Sequence, residues 1–252
     1  MKHTYFTGDY CYASALDIGS VRSSNQDALI LEPTMDLFGV SDGMGGLLHG
    51  ELASRFVRQA LPLLLQDGTR NLSENLSAES AADLLREAVC CLSDRLFEEF
   101  NAGDAVMGAT VCAVWLVENK ALFVSLGDSR AYILRDGDME PEQVTEDMNL
   151  AGLLYRQGVI TKEEARHHPG SSRLTAFAGM QKPAAPQVFL REIRKGDDIL
   201  LCSDGLYSMV EDRQLAEIMR SSPEPRTACS RMVRAANENG GRDNISAVLL
   251  RF

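Results

Sequence analysis

The sequence predicts an α+β protein in which helices pack on antiparallel sheets. Apolar runs of strand length recur along the chain, and several are joined by connections too short for a crossover helix, which implies antiparallel pairing. Two longer segments carry apolar positions at helical spacing. Groups of strands alternate with pairs of helices, the pattern of helices gathered onto antiparallel sheets. With 252 residues and 45% hydrophobic content the chain is long enough to bury a substantial core.

In chain order, CYASALDIG at 11–19, DALILE at 27–32 and DLFGVSD at 36–42 read as strands. A helix follows over 47–65, then the polar connector QDGTRNLSENLS at 66–77. AESAADLLREAVCCLSDRLFEEF at 78–100 predicts a second helix with Ser77 as its cap. GATVCAVWLV at 108–117, KALFVSLG at 120–127 and RAYILR at 130–135 read as a three-stranded meander. Residues 147–168 suggest short helical pieces, followed by strands at 187–193 and 197–203. Near the C-terminus Pro223 reads as a first-turn proline, Gly240 and Gly241 stop that helix, and NISAVLLRF closes the chain as a strand.

Net charge −11 and a pI near 4.9 argue against nucleic acid as a partner, because phosphate neutralisation needs clustered Lys and Arg. No run approaches the roughly 20 apolar residues of a membrane span, and MKHTYFTGDY has no apolar signal core, so a cytoplasmic protein without a membrane partner is expected. The six cysteines read as reduced thiols, and neither Cys90-Cys91 nor His167-His168 has zinc-ligand spacing. No segment calls for a second chain, so a monomer is expected.

Aspartates at strand ends carry the chemistry. Of four Asp-Gly pairs, Asp67-Gly68 in the polar connector and Asp136-Gly137 after RAYILR read as plain turns. Asp42 in LFGVSDGMGG and Asp204 in ILLCSDG instead terminate apolar runs, where an unpaired charge is costly. Asp27, Asp128 and Asp243 also lie at strand ends. If the five converge, they repel one another unless protons or cations compensate, and oxygen donors with few His or Cys suit Mg2+ or Mn2+. Spacing alone leaves open whether they form one metal cluster or separate turn and cap aspartates.

Taken together, VRSSNQD, VSDGMGG, GAT, GDSRAY, SDGL and GRDN, in this order, resemble the metal-dependent serine/threonine protein phosphatases of the PPM, or type 2C, family in its compact bacterial form. The similarity runs from about residue 10 to 252 and includes LLYRQGVITKEEARHHPGSSRLTAFAG, which resembles the family's flap. The resemblance implies a four-layer α-β-β-α sandwich, with two central antiparallel sheets flanked by helix pairs. It also implies one catalytic domain over 1–252 with a flap near 147–180.

By position, Asp42 would bridge two Mn2+ or Mg2+ ions and the Gly43 carbonyl would bind one of them. Asp204 and Asp243 would hold the other, Asp27 would act close by, and Asp128 with Asp204 would match a weaker third ion. Arg22 would grip the phosphate, and a water bridging the two ions would attack phosphoserine or phosphothreonine directly. A cognate serine/threonine kinase is the partner such a protein suggests.

Three positions depart from the pattern. Gln26 stands where many members carry glutamate. Ser208 stands where several carry aspartate, which weakens the case for a third ion. Met44 replaces a histidine proposed as a proton donor in some animal members, so no side-chain acid is assigned. His49, His167 and His168 receive no role. Rival motifs fail: GMGGLL lacks the third glycine of a dinucleotide fingerprint, no P-loop is present, and no cysteine has an arginine at the offset of a thiol phosphatase. The alternative is a phosphatase-like phosphoprotein-binding regulator without activity.

Overall fold

The structure, a computed structural model, describes residues 6, 8–45, 49–70, 76–100 and 107–252. Three strands open the chain, β1 (Cys11–Asp17), β2 (Asp27–Glu32) and β3 (Leu37–Met44), followed by helices α1 (His49–Thr69) and α2 (Ala78–Phe100). Strands β4 (Gly108–Ala109), β5 (Val111–Val117), β6 (Lys120–Leu126), β7 (Arg130–Leu134) and β8 (Glu142–Gln143) come next. Short helices α3 (Leu150–Arg156) and α4 (Lys162–His167) precede β9 (Gln187–Glu192) and β10 (Asp198–Cys202). The chain ends with α5 (Asp204–Tyr207), α6 (Asp212–Ser221), α7 (Pro225–Glu238) and β11 (Ile245–Arg251).

The strands form two antiparallel sheets, one ordered β1-β11-β10-β7-β8 and the other β2-β3-β5-β6-β9 with β4 beside β3. Strand alternation builds the layers. In β5, Val111, Ala113, Trp115 and Val117 face α1 and α2, while Cys112, Val114 and Leu116 face the other sheet. In β11, Ile245, Ala247 and Leu249 face α6 and α7, while Val248 and Leu250 face inward. Both faces of these strands are dry, which is why they read as near-continuous apolar runs. The result is the four-layer α-β-β-α sandwich.

The predicted bounds of β2 and α2 match residue for residue, and Ser77 caps α2 by accepting from the Ser80 N–H at 3.2 Å. Elsewhere the structure corrects the sequence. RAYILR does not complete a meander: β6 pairs with β5 and β9, whereas β7 belongs to the other sheet between β10 and β8. The chain leaves the first sheet at Gly127, whose φ of +123° lies outside the range of a side-chain-bearing residue in a strand, and this carries Asp128 between the sheets.

Asp67-Gly68 is not a turn but the last turn of α1, where Gly68 packs beside Leu84 of α2. The first-turn proline of α7 is Pro225 rather than Pro223, and α6 lacks any counterpart in the sequence reading. Asp136-Gly137 is a turn as expected, with Asp138 N–H donating to the Arg135 carbonyl at 3.2 Å. The expected first residues of α1 and part of the 66–77 connector fall outside the described residues.

Phe123 is fully buried between the sheets and pairs in register with Val114 and Phe189. Truncating Phe123→Ala should cost about 3–5 kcal/mol, read as a lowered urea midpoint with an unchanged slope. A loss below about 1 kcal/mol would mean that the two sheets do not share that core.

Candidate metal centre

Register brings the strand ends together. Asp27 and Asp42 are direct partners across β2 and β3. In the other sheet β10 delivers Ser203 and Asp204 beside the start of β11, where Asp243 precedes the strand. The crossing from β6 to β7 places Asp128 between them. Arg22, Asp42, Gly43, Asp128, Asp204 and Asp243 all line one cleft of about 750 Å³, and Asp27 lies buried beneath it. All seven residues singled out from sequence therefore meet at one end of the sandwich.

The paired Asp-Gly motifs have a shared steric cause. A Cβ at Gly43 would sit 1.9 Å from the Gly50 carbonyl oxygen, and one at Gly205 would sit 1.9 Å from the Asn244 carbonyl oxygen. Each glycine lets another backbone segment cross directly behind an aspartate: the first turn of α1 behind Asp42, the entry to β11 behind Asp204. The Gly43 carbonyl itself lies against Gly50, within 2.6 Å of where a Cβ would stand there.

Crowding sets the electrostatics. Burial, reinforced by the neighbouring aspartates, pushes the Asp42 carboxyl well above the ordinary carboxylate range. Burial likewise raises Asp27 to about 7, against hydrogen bonding from Ser203, whose hydroxyl donates to Asp27 Oδ2 at 2.7 Å. Asp128 rises to about 8 through burial and the Asp204 charge, and Asp204 to about 6 through burial and the Asp243 charge. Asp42 counts Asp27, Asp204, Asp128 and Asp243 among the charges that oppose its ionisation, so the cluster acts on itself.

The donor set fits hard divalent cations. Asp27 Oδ1 and Asp204 Oδ1 are buried without a hydrogen-bond partner, a costly state that a cation relieves. The side chains are gathered but not preset: among the described residues no three His, Cys, Asp or Glu side chains already surround one point at ligand distance. Asp243 is instead turned to Arg22, whose NH2 donates to its Oδ2 at 2.7 Å, and Asp27 is turned to Ser203.

Residues missed in the sequence hold this arrangement. The buried Asn244 amide donates to the carbonyls of Ile18 and Ser24 at 2.9 and 3.0 Å, and its oxygen accepts from the Gln26 N–H at 2.8 Å, fixing the segment that carries Arg22. Thr110 Oγ1 accepts from the Asp42 N–H at 2.9 Å. Asn149 donates to Asp128 Oδ2 at 3.2 Å while capping α3.

Arg130 binds Asp147 through two nitrogens at 2.9 and 2.6 Å, donates to the Tyr132 hydroxyl at 2.9 Å and stacks on the Tyr207 ring. Tyr207 in turn donates to the Asp128 carbonyl at 3.0 Å. Asn244 and Arg130 stand inside GRDN and GDSRAY, the signal that could have found them. Arg173 also lines the cleft; it stands inside the stretch read as a flap but was not singled out. Met44 lines the cleft too, whereas Ser208 and the three histidines do not.

The profile of the Protein phosphatase 2C family matches residues 20–249. The chain belongs to that family. It is 34% identical over 244 residues to the serine/threonine protein phosphatase PstP of Mycobacterium tuberculosis, covering 94% of this chain but only 44% of that relative. It is 30% identical to the serine/threonine phosphatase stp of Listeria monocytogenes, covering 93% and 92% of the two chains. The solved catalytic domain of PstP in complex with two manganese ions superposes with a TM-score of 0.81 at 32% identity, covering 96% and 97% of the two chains. In this type 2C chain, then, the cleft lies within the part of the sequence that the relatives share.

Asp27, Asp128 and Asp204 hold protons more tightly folded than unfolded, so stability is highest below the unfolded value of 3.8 and is lost as pH rises through about 6, 7 and 8. Metal-free protein should therefore melt several degrees lower at about pH 8 than at about pH 5.5, since each kcal/mol moves a domain of this size by about 2–4 °C. Scanning calorimetry after chelation checks this, and a rising melting temperature over that window would refute the crowding. Gly205→Ala should destabilise by about 2 kcal/mol or more through its clash with Asn244, read by urea unfolding.

Proposed function

We propose that this chain is a metal-dependent serine/threonine protein phosphatase. Residues 1–252 would act as one catalytic domain, and the segment near 147–180 as its flap. The observation that carries the reading is the convergence of Asp42, Asp128, Asp204, Asp243 and Arg22 in a single cleft beside the buried Asp27, with the Oδ1 atoms of Asp27 and Asp204 left without a hydrogen-bond partner. Asp42, Asp204, Asp243 and the Gly43 carbonyl hold two Mn2+ or Mg2+ ions. Asp27 supports them from beneath, and Asp128 with Asp204 offers a weaker third position. When bound, the ions would supply the Lewis acidity that makes water a nucleophile and offsets charge on the phosphoryl group.

The chain's own groups do the rest. Arg22 presents a planar fork of donors matched to phosphate oxygens, and it is half exposed at the cleft mouth. Its bond to Asp243 holds that fork at the cleft. Ser203 and Asn149 orient Asp27 and Asp128 through one hydrogen bond each. Substrates are phosphoserine and phosphothreonine proteins, with a serine/threonine kinase as the opposing enzyme. Among the described residues no helix is long and apolar enough to cross a membrane.

The purified chain should hydrolyse a phosphothreonine peptide with Mn2+ and stop on chelation; full activity after rigorous chelation would sink the reading. A phosphopeptide bound but never hydrolysed would favour the regulator instead. Asp204→Asn should lower turnover by about two orders of magnitude and weaken Mn2+ binding, while the metal-free protein keeps or gains stability. Asp136→Asn, in the exposed turn after β7, should leave all three unchanged. Equal losses in the two variants would overturn Asp204 as a ligand.

A further inference from the structure

Each sheet ends in two edge strands, and the two sides of the sandwich are treated differently. At one side β8 and β9 close their sheets, and charged side chains lace them together: Arg191 donates from Nε and NH2 to Glu142 at 3.0 and 2.8 Å, and Gln187 donates to Glu146 at 3.1 Å. At the other side β1 and β2 close theirs and touch each other, yet no side-chain hydrogen bond or ion pair joins them among the described residues.

Strand β1 is the longest of the four edges, with seven residues, and its sequence CYASALD contains no Lys, Arg or Pro. Those are the residues that usually blunt an edge against pairing. Its one charge, Asp17, is turned away: the carboxylate accepts from the Gly19 N–H at 2.9 Å and from Asn237 of α7 at 3.0 Å.

Alternation decides what the edge shows. Ala13 and Ala15 pack toward α7. Tyr12, Leu16 and Ile18 face the opposite way and remain 39%, 46% and 39% exposed, although Tyr12 leans on Phe38. The apolar row continues through Val21, 67% exposed, directly into Arg22, and both line the aspartate cleft. The join is rigid, because Asn244 holds Ile18 and Ser24, and the N–H groups of Ser20 and Val21 both donate to the Gly241 carbonyl. An edge to which no strand pairs among the described residues, an apolar stripe and the arginine at the cleft mouth therefore form one continuous surface.

We propose that the free edge of β1 docks an extended segment of the phosphoprotein substrate, which pairs its backbone with β1 and sets apolar side chains against Tyr12, Leu16 and Ile18. The phosphorylated residue at the end of that segment arrives beside Arg22. This rests on the phosphatase reading for the cleft itself. Added strands gain affinity from main-chain hydrogen bonds and selectivity from alternate side chains, so the segment that fits carries apolar residues at every second position on one side of the phosphoresidue.

The test uses the full chain with Mn2+ and three substrates: p-nitrophenyl phosphate, a phosphothreonine peptide with alternating Val and Ile flanking the phosphoresidue, and the same peptide with those residues changed to Ser. The apolar peptide should show a KM lower by about tenfold than the Ser peptide, at similar kcat. Leu16→Lys and Ile18→Lys should each erase most of that difference and leave p-nitrophenyl phosphate hydrolysis unchanged. Leu16→Ser serves if a lysine variant does not fold.

Equal KM values for the two peptides in the unmodified chain would overturn the proposal. So would variants that slow p-nitrophenyl phosphate as much as the peptide. Light scattering supplies a further arm: a concentration-dependent dimer abolished by the variants, with the peptide preference intact, would assign the edge to a second copy of this chain and overturn substrate docking. If the unmodified chain hydrolyses no phosphate ester, the phosphatase reading fails by itself. Fluorescence anisotropy of the labelled peptides on the same variants then decides docking alone, with loss of apolar-peptide binding in Leu16→Lys supporting it and unchanged binding refuting it.

Discussion

Mutual repulsion among buried aspartates is the constraint around which this molecule is arranged. Asp27 and Asp128 are almost fully buried, and burial with neighbouring charge pushes the Asp42 and Asp204 carboxyls upward. No fold gathers such charges for stability, since desolvation and like-charge repulsion both oppose it. The two sheets supply the force that does so. Register fixes Asp27 against Asp42, and the pairing of β10 with β11 fixes Asp204 beside Asp243. Glycines behind Asp42 and Asp204 allow the backbone crossings that such closeness needs.

A second buried polar cluster shows what a balanced one looks like. Arg130 is matched by a bidentate Asp147, a tyrosine hydroxyl and an aromatic face. From it the network runs through Tyr132 to Asp212, which Lys162 and Arg166 of α4 also hold. Charge there is compensated inside the molecule, and the cluster fastens α3 and α4 to the sheet bearing β7. In the aspartate cluster, by contrast, Asp243 alone of the five carboxylates is ion-paired with an arginine, Arg22, among the described residues. The difference separates a structural polar network from one that awaits a ligand.

Much of this was legible in the sequence. The longer strands, the two long helices and the five aspartates could be named, because charge at the end of an apolar run is conspicuous and ordered motifs reinforce one another. The errors share a cause. RAYILR looked like the third strand of a meander because a short connection says nothing about which sheet receives the chain. Asp67-Gly68 carries a turn signal that the packing of α1 on α2 overrides, and α6 escaped because it is short, although Leu215, Ala216, Ile218 and Met219 stand at helical spacing. Asn244 and Arg130 were hidden for another reason: their roles lie in hydrogen bonds to residues far away in sequence, which local pattern does not encode.

The pairing of β1 with β11 also sets the order in which the molecule can come into being. Residues 11–17 are held by residues 245–251, and the cleft is built from Asp27 and Asp42 on one side and Asp204 and Asp243 on the other. The sheet bearing α1 and α2 can gather much of itself from nearby segments, but the cleft cannot exist until the last strand has been synthesised and has closed a loop of more than two hundred residues. Until then the early aspartates are free of the late ones and of the repulsion they bring. The cleft is thus completed only once β11 has paired, and a chain made no further than β10 holds its carboxylates as ordinary solvated acids.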